Sequence, residues 1–173
     1  QLDCIDASAG HYVGNPASRS QTPCAAGSYQ SDSGQTSCIL SEPGNYVSDA
    51  GATRQNQCSS GTYQPSSGAT DCIDASPGYY VTDFSAIAQT PCEAGTYQML
   101  SGANSCFQAG QGFYVPSEGS DSQEQCQPGT FSSQQGQAIC TDASAGYFVD
   151  GIQQSSQSPC QPGEFQNLEG QTS

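Results

Sequence analysis

Ten cysteines are the residues of this chain whose type and spacing could do chemistry: Cys4, Cys24, Cys38, Cys58, Cys72, Cys92, Cys106, Cys126, Cys140 and Cys160. The intervals between them alternate 20 and 14 residues without a slip. No two form a C-x2-C pair and His11 is the sole histidine, so the spacing points to covalent cross-linking and not to zinc. Catalysis has little to work with. The chain has no lysine and no second histidine from which to build a nucleophile–base pair, and its scattered carboxylates lack a walled cleft that would tune them. Asp6, Asp74 and Asp142 recur after "CI" or "CT" and could touch calcium, but no EF-hand spacing accompanies them. They read as solvated acids or turn caps. The expectation is therefore no catalytic residue, no metal site, no cofactor and no enzyme.

Two disulfide ladders fit the spacing. One joins Cys24–Cys38, Cys58–Cys72, Cys92–Cys106 and Cys126–Cys140, and leaves Cys4 and Cys160 to bond outside this stretch of chain. The other joins Cys4–Cys24, Cys38–Cys58, Cys72–Cys92, Cys106–Cys126 and Cys140–Cys160, and uses all ten. Loop entropy separates them by only about 0.3 kcal/mol per bridge, so energy does not decide. The first is favoured because its two cysteine positions are lost together wherever they are lost. The second stays open.

The elements that must position these cysteines follow a finer repeat of 17 residues, two of which make the 34-residue cysteine period. The units are 7–23, 24–40, 41–57, 58–74, 75–91, 92–108, 109–125, 126–142, 143–159 and an incomplete 160–173. Residues 1–6 match the end of a preceding unit. Position 4 of every unit is glycine, and position 11 is glycine in seven of ten. Position 6 is always aromatic: Tyr12, Tyr29, Tyr46, Tyr63, Tyr80, Tyr97, Tyr114, Phe131, Phe148 and Phe165. The units that start at residues 24, 58, 92, 126 and 160, called odd and the rest even, carry cysteine at position 1 and, where complete, at position 15. Even units have Ala or Ser at position 1, Val at position 7 and glutamine at position 15 (Gln21, Gln55, Gln89, Gln123, Gln157).

Glycine before the aromatic residue, often preceded by proline (Pro43, Pro77, Pro128, Pro162), signals a tight turn. A triplet such as "TYQ" reads as a very short strand, and "SDSG" or "PSSG" as a second turn that returns the chain antiparallel. The expected fold is a small disulfide-rich all-β repeat, an elongated ladder of short irregular hairpins without a large core. Each ring should lie against the disulfide or ring of the next unit, and Val at position 7 should refill what an absent disulfide gives up.

Composition agrees. Formal net charge is −14, with Arg19 and Arg54 the only basic residues apart from His11, which excludes a nucleic-acid partner. Leu, Ile, Val and Phe make up about an eighth of the chain, too few for a sizeable core. Cross-links then substitute for burial, which implies an oxidising, extracellular or cell-surface location. No stretch is long and apolar enough to span a bilayer. Abundant serine and threonine, in runs such as "SSQSP", suit O-linked glycans.

"CAAGSYQSDSGQTSC" and "CEAGTYQMLSGANSC" resemble the cysteine-rich repeats of tumour-necrosis-factor receptors and of ephrin-receptor-like extracellular arrays. The resemblance implies bonds within each such phrase, in agreement with the first ladder, and an extracellular, elongated scaffold. Those families place a further cysteine three residues on, where this chain has Ser41 or Ala75. The functional expectation is a structural protein forming a rod, stalk or surface filament, by one long chain or by self-association, with O-linked sugars. The rival is a receptor or adhesion module for a protein or carbohydrate partner. Arg19 and Arg54, in neighbouring even units, would mark its contact patch.

Overall fold

The computed structural model describes residues 4–173. Its secondary structure is a series of two-residue antiparallel strand pairs at the 17-residue spacing, with disulfides recurring every 34 residues. No closed barrel, large packed core or helix long and apolar enough to cross a membrane forms among the described residues. The chain divides into two compact units. The first runs up to Ala75 and adds Val81–Gln89; the second comprises Ser76–Tyr80 and Thr90–Ser173.

In the first unit His11–Tyr12 pairs with Thr22–Pro23, Ser28–Tyr29 with Ile39–Leu40, Asn45–Tyr46 with Asn56–Gln57, and Thr62–Tyr63 with Ile73–Asp74. In the second, Tyr79–Tyr80 pairs with Thr90–Pro91, Thr96–Tyr97 with Phe107–Gln108, Phe113–Tyr114 with Glu124–Gln125, Thr130–Phe131 with Thr141–Asp142, and Tyr147–Phe148 with Ser158–Pro159. Position 6 thus stands opposite position 16 in each hairpin. A two-residue pair has almost no ladder of its own, so the hairpin must be held by its turns and neighbours.

Each hairpin is entered through a turn. In the third one, Asn45 N–H donates to the Glu42 carbonyl at 3.0 Å, with Gly44 at φ +78°. This is the type II geometry that requires glycine at the third residue and favours proline at the second, here Pro43.

Neighbouring hairpins are joined chiefly by backbone, with a few side-chain bonds such as Ser41 Oγ to Ala69 O added. At the junction of the second and third, Gly27 N–H donates to Val47 O (2.8 Å), Ser41 N–H to Gly27 O (2.9 Å), Gln30 N–H to Ala52 O (3.1 Å) and Gly51 N–H to Cys24 O (2.8 Å). The same four bonds recur further on: Gly95 to Val115, Ala109 to Gly95, Gln98 to Ser120 and Gly119 to Cys92, at 2.8–3.2 Å. At about 1 kcal/mol net per bond, such a junction contributes a few kcal/mol whatever the side chains are. The bonds recur at the 17-residue period of the sequence.

The buried interior is narrow. Position 1 is sealed in the units from 24 to 159, whether it is Cys24, Ser41, Cys58, Ala75, Cys92, Ala109, Cys126 or Ala143, all at 0% exposure, while Ala7 is buried and Cys160 half-buried. Position 7 is buried as well, by Val47, Val81, Val115 and Val149 in even units and Gln30, Gln64, Gln98 and Ser132 in odd ones. The aromatic column is only half-buried, and Phe165 is exposed. Of the two neighbours expected for each ring, a disulfide or a ring of the next unit, no ring of the next unit is found among the described residues. Among the described residues the one ring pair is Tyr97–Phe107, with centroids 6.0 Å apart, and it lies within a single hairpin. The reason is that the interior column is filled by position 1, too small a space for a ring.

Candidate functional site: the alternating loop closures

The side chains that the fold brings together close loops. In odd units position 1 is bonded to position 15: Cys24–Cys38, Cys58–Cys72, Cys92–Cys106 and Cys126–Cys140, with Cα–Cα distances of 5.7–5.8 Å. Position 1 lies in the interior while its partner is half-buried. The position 7 glutamine braces the same loop. Gln64 Nε2 donates to Asp71 O at 2.8 Å, and its Oε1 accepts from Ser66 N–H at 3.0 Å. Gln30 and Gln98 repeat both contacts. A buried amide is affordable there because both of its polar atoms are paired.

Even units close the same loop without sulfur. The Oε1 of the position 15 glutamine accepts a hydrogen bond from the backbone N–H of position 2: Ser8 to Gln21 (2.7 Å), Glu42 to Gln55 (2.8 Å), Gly110 to Gln123 (2.7 Å) and Ser144 to Gln157 (2.7 Å). The glutamine column was visible in the sequence, but its partner was not. A backbone N–H leaves no residue signature.

Position 11 shows a second regularity. Its glycines adopt positive φ, and so do the three exceptions, Ala17 (+58°), Ser85 (+55°) and Gln153 (+58°). These fall in every fourth unit, 7–23, 75–91 and 143–159, which also share an Ala-Ser start and end in Thr-Pro or Ser-Pro. The repeat therefore carries a four-unit order above the 34-residue one.

The remaining candidates are dispersed. His11 Nδ1 lies 3.3 Å from the Ala9 carbonyl. Asp6, Asp74 and Asp142 are exposed, and no group of three or more His, Cys, Asp or Glu is placed to hold a metal among the described residues. A cleft beside the first hairpin is lined by residues including Ile5, Asp6, Val13, Arg19 and Gln35, but not by Arg54, so the two arginines do not share it. Tyr114 Oη donates to Glu124 Oε2 at 2.7 Å, and this bond, aided by desolvation and the nearby negative charge, raises the phenol above its usual pKa. Cys4 and Cys160 are unbonded, the first exposed and the second half-buried. The arrangement is that of a disulfide-stabilised repeat module, an architecture typical of extracellular proteins. No protein-family model and no curated sequence matches the chain.

Proposed function

We propose that the chain is a structural extracellular repeat protein, part of a rod, stalk or surface filament built from a continuous array of the 17-residue units and carrying O-linked sugars. The observation that carries this reading is the four-bond junction, repeated with the same partners in each compact unit whatever side chains flank it. A junction made of backbone propagates without a terminus of its own, as in other repeat arrays. In this reading Cys4 and Cys160 bond to further cysteines of the same ladder, in a longer chain or in a neighbouring subunit. The likeness to tumour-necrosis-factor-receptor and ephrin-receptor-like repeats supports the extracellular setting. Strong negative charge keeps neighbouring filaments apart at low salt. Electron microscopy of the native material tests the reading: uniform thin filaments with an axial repeat set by two units are expected, and discrete monomers would refute it.

A second reading, a receptor or adhesion module, is favoured by the exposed apolar residues of the odd hairpins. Ile39, Leu40, Ile73 and Phe107 are 45–59% exposed on second strands, where even hairpins carry polar residues or proline. Saturable binding of a soluble partner that is lost on Ile39→Ser with Ile73→Ser would establish it.

A further inference from the structure

We infer that Thr22, Thr90 and Ser158 are O-glycosylation sites, each carrying a sugar that packs on the aromatic ring paired with it across the hairpin. This rests on the reading of the chain as an O-glycosylated extracellular protein and gives that reading its sites. The three residues occupy position 16 of every fourth unit, the same units that hold a residue other than glycine in the left-handed conformation at position 11. All three are exposed on the second strand of their hairpin.

Their hydroxyls are uncommitted. Among the described residues no hydrogen bond engages Thr22 Oγ1, Thr90 Oγ1 or Ser158 Oγ. The threonines at position 5 differ. Thr62, Thr96 and Thr130 donate to the carbonyls of Ser59, Glu93 and Gln127 at 2.7–2.8 Å, and these hydroxyls serve the entry turn. Abundance of serine and threonine therefore does not define the acceptor; a free oxygen together with a following proline does, since Thr141, also free at position 16, lacks that proline.

The flanking residue holds the acceptor in place. Pro23, Pro91 and Pro159 follow the three hydroxyl residues, and proline restricts the residue before it to extended backbone. Pro23 also sits against Gly51 and Pro91 against Gly119, each in the hairpin two further on. Across the strand pair, Tyr12 faces Thr22, Tyr80 faces Thr90 and Phe148 faces Ser158. Directly opposed residues have Cβ atoms about 5 Å apart, and these rings are only half-buried. A pyranose on the hydroxyl would reach the open ring face, covering apolar surface that the narrow interior leaves wet. Elsewhere the same position is Ile39, Asn56, Ile73, Phe107, Glu124 or Thr141; Phe107 packs on its paired ring, and Thr141, exposed opposite Phe131, is followed by Asp142 and not by proline.

The modification is a glycosyl transfer from a phosphate-activated sugar donor by a transferase of the secretory route. The hydroxyl oxygen bonds the anomeric carbon, and the bond from that carbon to the donor's phosphate oxygen breaks. The phosphate leaves with the electron pair, and the hydroxyl proton passes to a base of the transferase.

The test is electron-transfer fragmentation of the native protein after digestion with a glutamate-specific protease and chymotrypsin. Sugar mass is expected on Thr22, Thr90 and Ser158 and absent from Thr62, Thr96 and Thr130. Sugar confined to other hydroxyls overturns this assignment and leaves the glycosylated reading standing. Absence of sugar from every peptide overturns both.

Discussion

The α-carbon of Gly44 faces the carbonyl oxygen of Ser85, two hairpins further along the first compact unit, so closely that a Cβ on Gly44 would overlap it. Gly95 meets the Gly136 carbonyl in the same way in the second unit. The position 4 glycine is thus required twice, by its positive φ and by this approach. Gly44→Ala should cost roughly 2–5 kcal/mol, combining the left-handed penalty with overpacking. Gly146 has the same positive φ but nothing within 4 Å of its would-be Cβ, so Gly146→Ala should cost only about 1–2 kcal/mol. Equal losses in denaturant unfolding would show that φ alone fixes the column.

Ser85 itself is a site of poor local fit. It holds φ +55°, and its hydroxyl is buried without a partner. Ser85→Gly relieves both, against the greater freedom that glycine has when unfolded. A gain of about 1 kcal/mol is expected, with a raised midpoint and unchanged slope in urea. A loss of stability would mean that the hydroxyl makes a contact important to the fold.

The fold was legible because the period acts on the backbone. Glycine at position 4 and an aromatic at position 6 mark a turn and a strand, and the recurrence of both set hairpin spacing without any tertiary knowledge. Positions 1 and 15, lost together in even units, are the two ends of each disulfide in the structure. The interior was less legible. Alanine, serine and cysteine at position 1 share only smallness, so the rings looked like the core, although they lie half outside it. The glutamine closures were hidden because the partner is a main-chain N–H. The left-handed residues at 17, 85 and 153 looked like lapses in a glycine column, when the conformation is kept and only the side chain changes.

The glutamine closure predicts its own replacement. Gln55→Ala should leave the Glu42 N–H without its 2.8 Å acceptor and cost about 1 kcal/mol, less where water takes its place. Because the even hairpins share the register of the odd ones, Ser41→Cys with Gln55→Cys should oxidise to a new bridge. Non-reducing peptide mapping should find these two cysteines joined, and thermal stability should rise. Persistent free thiols at both positions would show that even loops are spaced differently from the bonded ones, whose ends lie 5.7–5.8 Å apart.

The Tyr114–Glu124 pair gives a pH signature. The carboxylate bond to the phenol, then desolvation and the repulsion of a second negative charge, raise the Tyr114 pKa. The folded state therefore holds this proton more strongly than the unfolded state. The associated stability is fully present below the unfolded phenol pKa of about 10 and is lost as pH rises through the raised folded value. With ring-labelled tyrosines followed by NMR, Tyr114 should titrate later in the native protein than in Glu124→Gln. Coincident titrations would show that the pair does not form in solution.

The two kinds of closure should also separate under force. An even hairpin is held by backbone bonds and one amide, so it should extend fully at the first rupture. An odd hairpin keeps the chain between its two cysteines, a sequence separation of 14, out of reach of the load until sulfur is reduced. At about 3.5 Å per extended residue, each reduction should release roughly 50 Å of contour. Single-molecule pulling should then give short steps without reductant and four additional releases with it, one per disulfide. Reduction should also lower equilibrium stability by about 3 kcal/mol for each loop opened. Identical contour lengths with and without reductant would mean that the cysteines do not shield their loops, and the alternation of covalent and hydrogen-bonded closures would then have no mechanical consequence.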